Sequence, residues 1–136
     1  MRFSKVILFS VFISFQCFSQ DNEDLAIIYL ERAKSSFEAT DLVKAESYLK
    51  KTIGYYEGIK TKEVAVLGTK LYMKKKDFQN AKKYAQEYFK LEKNKKATEY
   101  KTMLLLFVDI EEAVEAMPVV KVINPKDTTA VLNSYY

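Results

Sequence analysis

The chain has 136 residues, a formal net charge of +4 and no histidine, which bounds it to one small domain and removes imidazole chemistry. A single cysteine and three glycines leave neither a disulfide framework nor a glycine-rich phosphate loop. Among its 22 basic residues only Arg2 and Arg32 are arginines. Lysine lacks the planar fork that reads phosphates and base edges, so nucleic acid is not an expected partner.

The first nineteen residues read as a secretory signal peptide. "MRFSK" is a basic start, "VILFSVFISF" an apolar run of ten, and Cys17 and Ser19 are small residues two positions apart. The run is shorter than the roughly 20 apolar residues that span a bilayer. Cleavage after Ser19 is expected, leaving a chain without cysteine. The alternative is a lipoprotein cut before Cys17, although Phe15 and Gln16 are larger than that processing prefers. From Gln20 onward the chain has 20 basic and 18 acidic residues, unevenly spread: −2 over residues 20–66, +7 over 67–107 and −3 over 108–136.

The helical body is expected over residues 23–117. "DLVKAESYLKKTI" from Asp41 returns as "DFQNAKKYAQEYF" from Asp77, a shift of 36 residues that superposes Lys34 on Lys70, Asp41 on Asp77, Ala45 on Ala81 and Tyr48 on Tyr84. A fixed period of this size signals stacked supersecondary units. Each unit reads as two helices. Leu25, Ile28, Tyr29, Ala33 and Ser36 form the stripe of the first helix, with Val64, Leu67, Gly68, Leu71 and Tyr72 as its counterpart. In the second helices, Ala45, Tyr48, Leu49, Thr52, Ile53 and Tyr56 share one face, as do Ala81, Tyr84, Ala85, Tyr88 and Phe89. Asp41 and Asp77 are expected N-caps, Gly58 a left-handed helix end and Thr61 the next helix start.

Ala33, Asp41, Leu42 and Ala45, with Tyr72, Asp77, Phe78 and Ala81, give the chain a pattern that resembles the tetratricopeptide repeat family over roughly residues 24–91. The resemblance implies an all-α fold, a short α-solenoid of antiparallel helix hairpins made of two such repeats plus a degenerate third unit or a capping helix. The family's period is nearer 34 residues, Thr40 and Lys76 stand where a glycine is common, Ser36 replaces an aromatic, and Gly68 lies one place from its usual register.

Beyond Leu91, "ATEYKTMLLLFVDIEEAVEAM" reads as an apolar helix followed by a second-helix opening at "DIEEAVEA", or as one capping helix; Pro118 ends it. The run Met103–Val108 is expected to pack on the second unit, with one side of it as an alternative self-association surface. Residues 118–136 read as an extended or disordered tail, alternatively a strand able to pair with an exposed sheet edge.

Catalysis is not expected. Serines lack a base, and Asp109, Glu111, Glu112 and Glu115 read as a solvated helix face, without the separated environments of an acid–base pair or the spacing of a calcium loop. No cofactor or metal is expected. In the resembled family the first helices line a groove that receives a peptide or helix. Carried over by repeat position, that face presents Ile27, Leu30, Lys34, Phe37 and Glu38, then Glu63, Val66, Lys70, Met73 and Lys74. Lys34, Phe37, Glu38, Lys70, Met73 and Lys74 are the expected partner-binding residues, and the lysines suit an acidic segment or a free carboxylate.

The function expected from these features is a non-catalytic interaction module of the bacterial cell envelope, exported to the periplasm or beyond, whose partner is another envelope protein. Two alternatives stand beside it: a lysine-rich module adsorbing to anionic lipid or polysaccharide through Lys74–Lys76 with Lys93, Lys95 and Lys96, and a structural homo-oligomer joined through Leu104–Val108. Contact with a membrane is expected only through lipidated Cys17 or that basic patch.

Overall fold

The computed structural model describes the backbone of residues 3–118 and the side chains of residues 21–118. Within that span the chain is all-helical: α1 Phe3–Glu38, α2 Leu42–Tyr56, α3 Lys62–Lys74, α4 Phe78–Leu91 and α5 Thr98–Glu115, with no strand among the described residues. The backbone of α1 runs unbroken through the expected cut after Ser19. The side chains of the expected signal peptide, Cys17 included, lie outside the described residues, as does the tail from residue 119. Among the described residues no helix is long and apolar enough to cross a membrane.

The helix ends follow from local chemistry repeated 36 residues apart. At the end of α1 the Asp41 N–H donates to Ser36 O (2.9 Å) and the Thr40 N–H to Phe37 O (3.0 Å). At the end of α3 the Asp77 N–H donates to Tyr72 O (2.9 Å) and the Lys76 N–H to Met73 O (3.0 Å). These paired bonds satisfy the last carbonyls and require a left-handed residue between them. Thr40 (φ 63°) and Lys76 (φ 58°) are those residues. The aspartates then start the next helix: the Asp41 side chain accepts from the Lys44 N–H, which holds its carboxyl below the usual range, and the Asp77 side chain accepts from the Asn80 N–H.

The loop between α2 and α3 corrects one sequence expectation. The left-handed closing residue of α2 is Glu57 (φ 57°), one place before Gly58, which takes φ 139°. The Gly58 N–H donates back to Ile53 O. Glycine is required one residue later because the chain turns twice there, first to close α2 and then to reach Thr61. That threonine caps α3 by accepting from the Val64 N–H.

Packing proceeds by helix pairs. α1 lies along α2 and α3 along α4, α4 carries α5, and the seams from α3 back to α1 and α2 are thin. The three-residue connections 39–41 and 75–77 return the chain so that paired helices run antiparallel. The core is one cluster built around Ala33, Ala45, Ala65, Ala81 and Ala85, with Leu49, Leu71, Tyr72, Tyr84, Tyr88, Met103 and Ile110 filling the wider gaps. Buried Thr52 and Thr69 return their hydroxyls to the carbonyls of Tyr48 and Ala65, so neither leaves an unmatched polar atom.

The expected stripes hold for α2, α3 and α4 and shift on α1. There the buried residues are Ala26, Leu30 and Ala33, while Leu25 and Ile28 are 37% and 48% exposed. Size misled the assignment: close approach of α1 to α2 selects alanine, so the larger residues turn away from the seam. The run Met103–Val108 is likewise only partly covered. Met103 is buried, Leu106 and Phe107 are half-buried, and Leu104, Leu105 and Val108 are exposed. The question left open at "DIEEAVEA" resolves as a single helix, since α5 continues to Glu115.

Candidate functional site

The thin seam between α1 and α3 leaves a groove of about 280 Å³ lined by Lys34, Phe37 and Glu38 of α1, Glu63, Val66, Leu67 and Lys70 of α3, and Glu99 of α5. A helix of 3.6 residues per turn places positions three and four apart on one face, which is why Lys34, Phe37 and Glu38 look the same way. Glu63, Val66, Leu67 and Lys70 do so on α3. Phe37, Val66 and Leu67 make the apolar floor, and charges ring the mouth.

Four of the six residues expected at a partner site line this groove: Lys34, Phe37, Glu38 and Lys70. Lys74 borders it, its ammonium 4.3 Å from the centroid of the Phe37 ring, within the range of a cation–π contact. Met73 is half-buried against the core and is not among the lining residues. Leu30, on the same carried-over face, is core. Glu99 was missed because it arrives from α5, outside both matched repeats. No local pattern announces a residue delivered by a third element.

The charge of the groove is mixed. Lys34 is paired with Glu31 at 2.8 Å; Lys70 makes no ion pair among the described residues. Glu38, Glu63 and Glu99 face the same space, and Glu99 accepts a long hydrogen bond from the Tyr88 hydroxyl (3.5 Å). The groove therefore offers one unpaired ammonium over an apolar floor, flanked by carboxylates that accept donors.

A second concavity, about 400 Å³, lies between α2 and α4 and is lined by Lys50, Ile53, Gly58, Ile59, Tyr72, Lys83, Tyr84 and Glu87. Beside it Glu46 of α2 is an electrostatic centre absent from the sequence reading. Its carboxylate takes Lys50 (2.8 Å), Lys75 and the Tyr72 hydroxyl (3.1 Å). The Lys50 and Lys75 bonds, with the Tyr72 hydroxyl, hold its carboxyl down to about 2. Burial pushes the Tyr72 and Tyr84 phenols up, Tyr84 to about 12. These tyrosines stack with centroids 5.3 Å apart and stay protonated at any ordinary pH, as packing groups that carry a hydroxyl.

The lysines proposed from sequence as one adsorbing surface fall at opposite ends of the α3–α4 pair. Lys74 is the last residue of α3, and Lys75 and Lys76 follow it. Lys93, Lys95 and Lys96 follow the end of α4, beside the start of α3, where Lys62 meets Glu92 at 2.6 Å. The 13-residue α3 separates the two groups by about 20 Å at 1.5 Å per residue. Two members are also engaged within the fold, Lys75 with Glu46 and Lys74 over Phe37.

Comparison of the chain with models of protein families, with curated proteins and with solved structures gave no match in any of the three.

Proposed function

We propose that the chain is a non-catalytic binding module whose groove between α1 and α3 receives an extended segment of another protein. In this reading the helix pairs are tetratricopeptide-like hairpins stacked as a short solenoid, and the first helices supply the receptor face. The observation that carries it is the convergence of Lys34 and Lys70, equivalent under the 36-residue shift, on one groove with Phe37 as its floor.

The chemistry narrows the partner. Lys70 selects a carboxylate, the floor of Phe37, Val66 and Leu67 takes one apolar side chain, and Glu38, Glu63 and Glu99 accept from a backbone amide or a basic side chain on either side. A mixed-charge segment fits better than a wholly acidic one, which would meet three carboxylates. Affinity comes from the anchored apolar group, while the charges set orientation and reject wrong partners. The setting is an exported, envelope location, supported by the basic start and apolar run of residues 1–19.

The test is affinity capture from a bacterial envelope extract with the full chain and with Lys34→Glu/Lys70→Glu. One discrete protein held by the first and lost by the second is expected. Its binding segment, made as a peptide, should bind at least about tenfold less tightly to the variant. Equal capture by both chains, or no enrichment, removes the groove from consideration.

A further inference from the structure

The 36-residue shift extends beyond the two matched units. α3 begins at Lys62 and α5 at Thr98, 36 residues later, so Gly68, Thr69 and Tyr72 correspond to Leu104, Leu105 and Val108. The first three are buried, Gly68 and Tyr72 of them against the Tyr84 ring of α4. The second three are exposed by 46%, 70% and 46%. The face of α5 left bare is thus the one on which the preceding hairpin seats its second helix. It is bare because α5 does not turn. The positions equivalent to left-handed Lys76 and capping Asp77 are Glu112 and Ala113, and the helix runs on to Glu115.

The stripe also has an end-to-end charge order. Lys101, Leu104, Leu105, Val108, Glu112 and Glu115 share one helix face at 3.6 residues per turn, opposite buried Met103 and Ile110. Lys101 sits near the start and the glutamates near the end, three turns apart. Neither Lys101 nor Glu112 makes an ion pair among the described residues.

We propose that this face binds the same face of α5 in a second copy of the chain, antiparallel about a two-fold axis between Leu105 and Val108. That axis sets Leu105 against Val108 of the partner subunit and Lys101 against Glu112 of the partner subunit, twice over, as a self-complementary interface requires. Parallel pairing would set Glu112 and Glu115 against their own copies. A helix packed as α4 packs on α3 does not fit either. The Tyr84 ring occupies the space over Gly68, where even a Cβ would lie 2.1 Å from it, and α5 has Leu104 there. A single helix crossing covers less than the roughly 1,600 Å² of a standard interface, so the pairing is weak and follows concentration.

Sedimentation velocity on the full chain, from about 1 µM to about 1 mM, tests it. The mass is expected to rise from one copy to two. Leu105→Glu, a change at an exposed position whose urea midpoint serves as the folding control, should hold one copy throughout. Lys101→Glu should weaken association about tenfold, and Lys101→Glu/Glu112→Lys should restore it. A single copy at every concentration overturns the proposal, and means that the tail 119–136 or a foreign partner covers the face. Association that survives Leu105→Glu also overturns it, since another segment would then be joining the copies.

Discussion

Lys75, just past the end of α3, reaches the carboxylate of Glu46 on α2, and 36 residues on the same two positions are joined with their signs exchanged, Lys82 of α4 to Glu111 of α5 at 3.1 Å. Each second helix is thereby tied to the helix that follows its own pair. The two ties differ in strength. Glu46 also holds Lys50 and Tyr72, whereas the Lys82 ammonium meets Glu111 alone and leans over the Phe107 ring at 5.9 Å.

Glu46→Gln is expected to destabilise the fold by about 1–2 kcal/mol, since it leaves two ammonium groups and the phenol of buried Tyr72 with a weaker acceptor. Lys82→Ala should cost less than about 1 kcal/mol, the usual worth of a surface pair. Urea unfolding followed by circular dichroism gives both values. Equal losses would mean that the surrounding bonds to Glu46 contribute nothing.

Acid should weaken the α2–α3 seam. The folded carboxyl of Glu46 titrates at about 2, below the roughly 4.3 of an unfolded glutamate, so the folded state binds its proton less readily. Its contribution is complete above the unfolded value and is lost as pH falls through that value toward 2. Between pH 5 and pH 2.5 the urea midpoint of the native chain should therefore drop further than that of Glu46→Gln. Parallel curves for the two proteins would exclude Glu46 as a source of the acid sensitivity.

Two helical glycines should respond oppositely to alanine. At Gly68 a Cβ would lie 2.1 Å from the Tyr84 ring, so Gly68→Ala must displace a buried aromatic and should cost about 2–3 kcal/mol despite alanine's better helix propensity. At Gly54 nothing lies within 4 Å of an added Cβ, and Gly54→Ala should add about 0.5–1 kcal/mol. Thermal midpoints moving down for the first and up for the second are expected.

Thr40, Glu57 and Lys76 hold left-handed backbone that costs an L-residue about 1 kcal/mol or more. Thr40→Gly should give the largest gain of the three glycine substitutions, roughly 1 kcal/mol, because its branched Cβ suffers most there. Calorimetry on Thr40→Gly, Glu57→Gly and Lys76→Gly checks the order. A loss at Thr40 would show that its side chain supports the turn in some way other than through its backbone.

The helical body was legible because its signals are local. Apolar spacing at 3.6 residues, an aspartate before each second helix and Thr61 before α3 act within a few residues, and the repeat showed each signal twice. The phase of α1 was less legible. Leu25 and Ile28 advertise burial by size, but the neighbouring helix decides that Ala26 and Ala33 occupy the seam. Lys34, Phe37, Glu38 and Lys70, carried over from the resembled family by repeat position, line one groove because equivalent positions face the same way in equivalent helices.

What the amino-acid sequence determined by itself was the helices of the two matched units, their N-caps and their pairing into short-looped hairpins, all consequences of bonds and contacts between near neighbours. Only the tertiary structure decided that Glu99 closes the groove from a third element, that Glu46 gathers Lys50, Lys75 and Tyr72, and that the two lysine groups stand at opposite ends of one helix pair. It also decided which side of α5 stays uncovered, because an apolar run carries no mark of its neighbour. Leu104, Leu105 and Val108 are as hydrophobic as Met103 and Phe107 and differ from them only in the direction they leave the helix, which acquires a meaning once α4 has taken the other side.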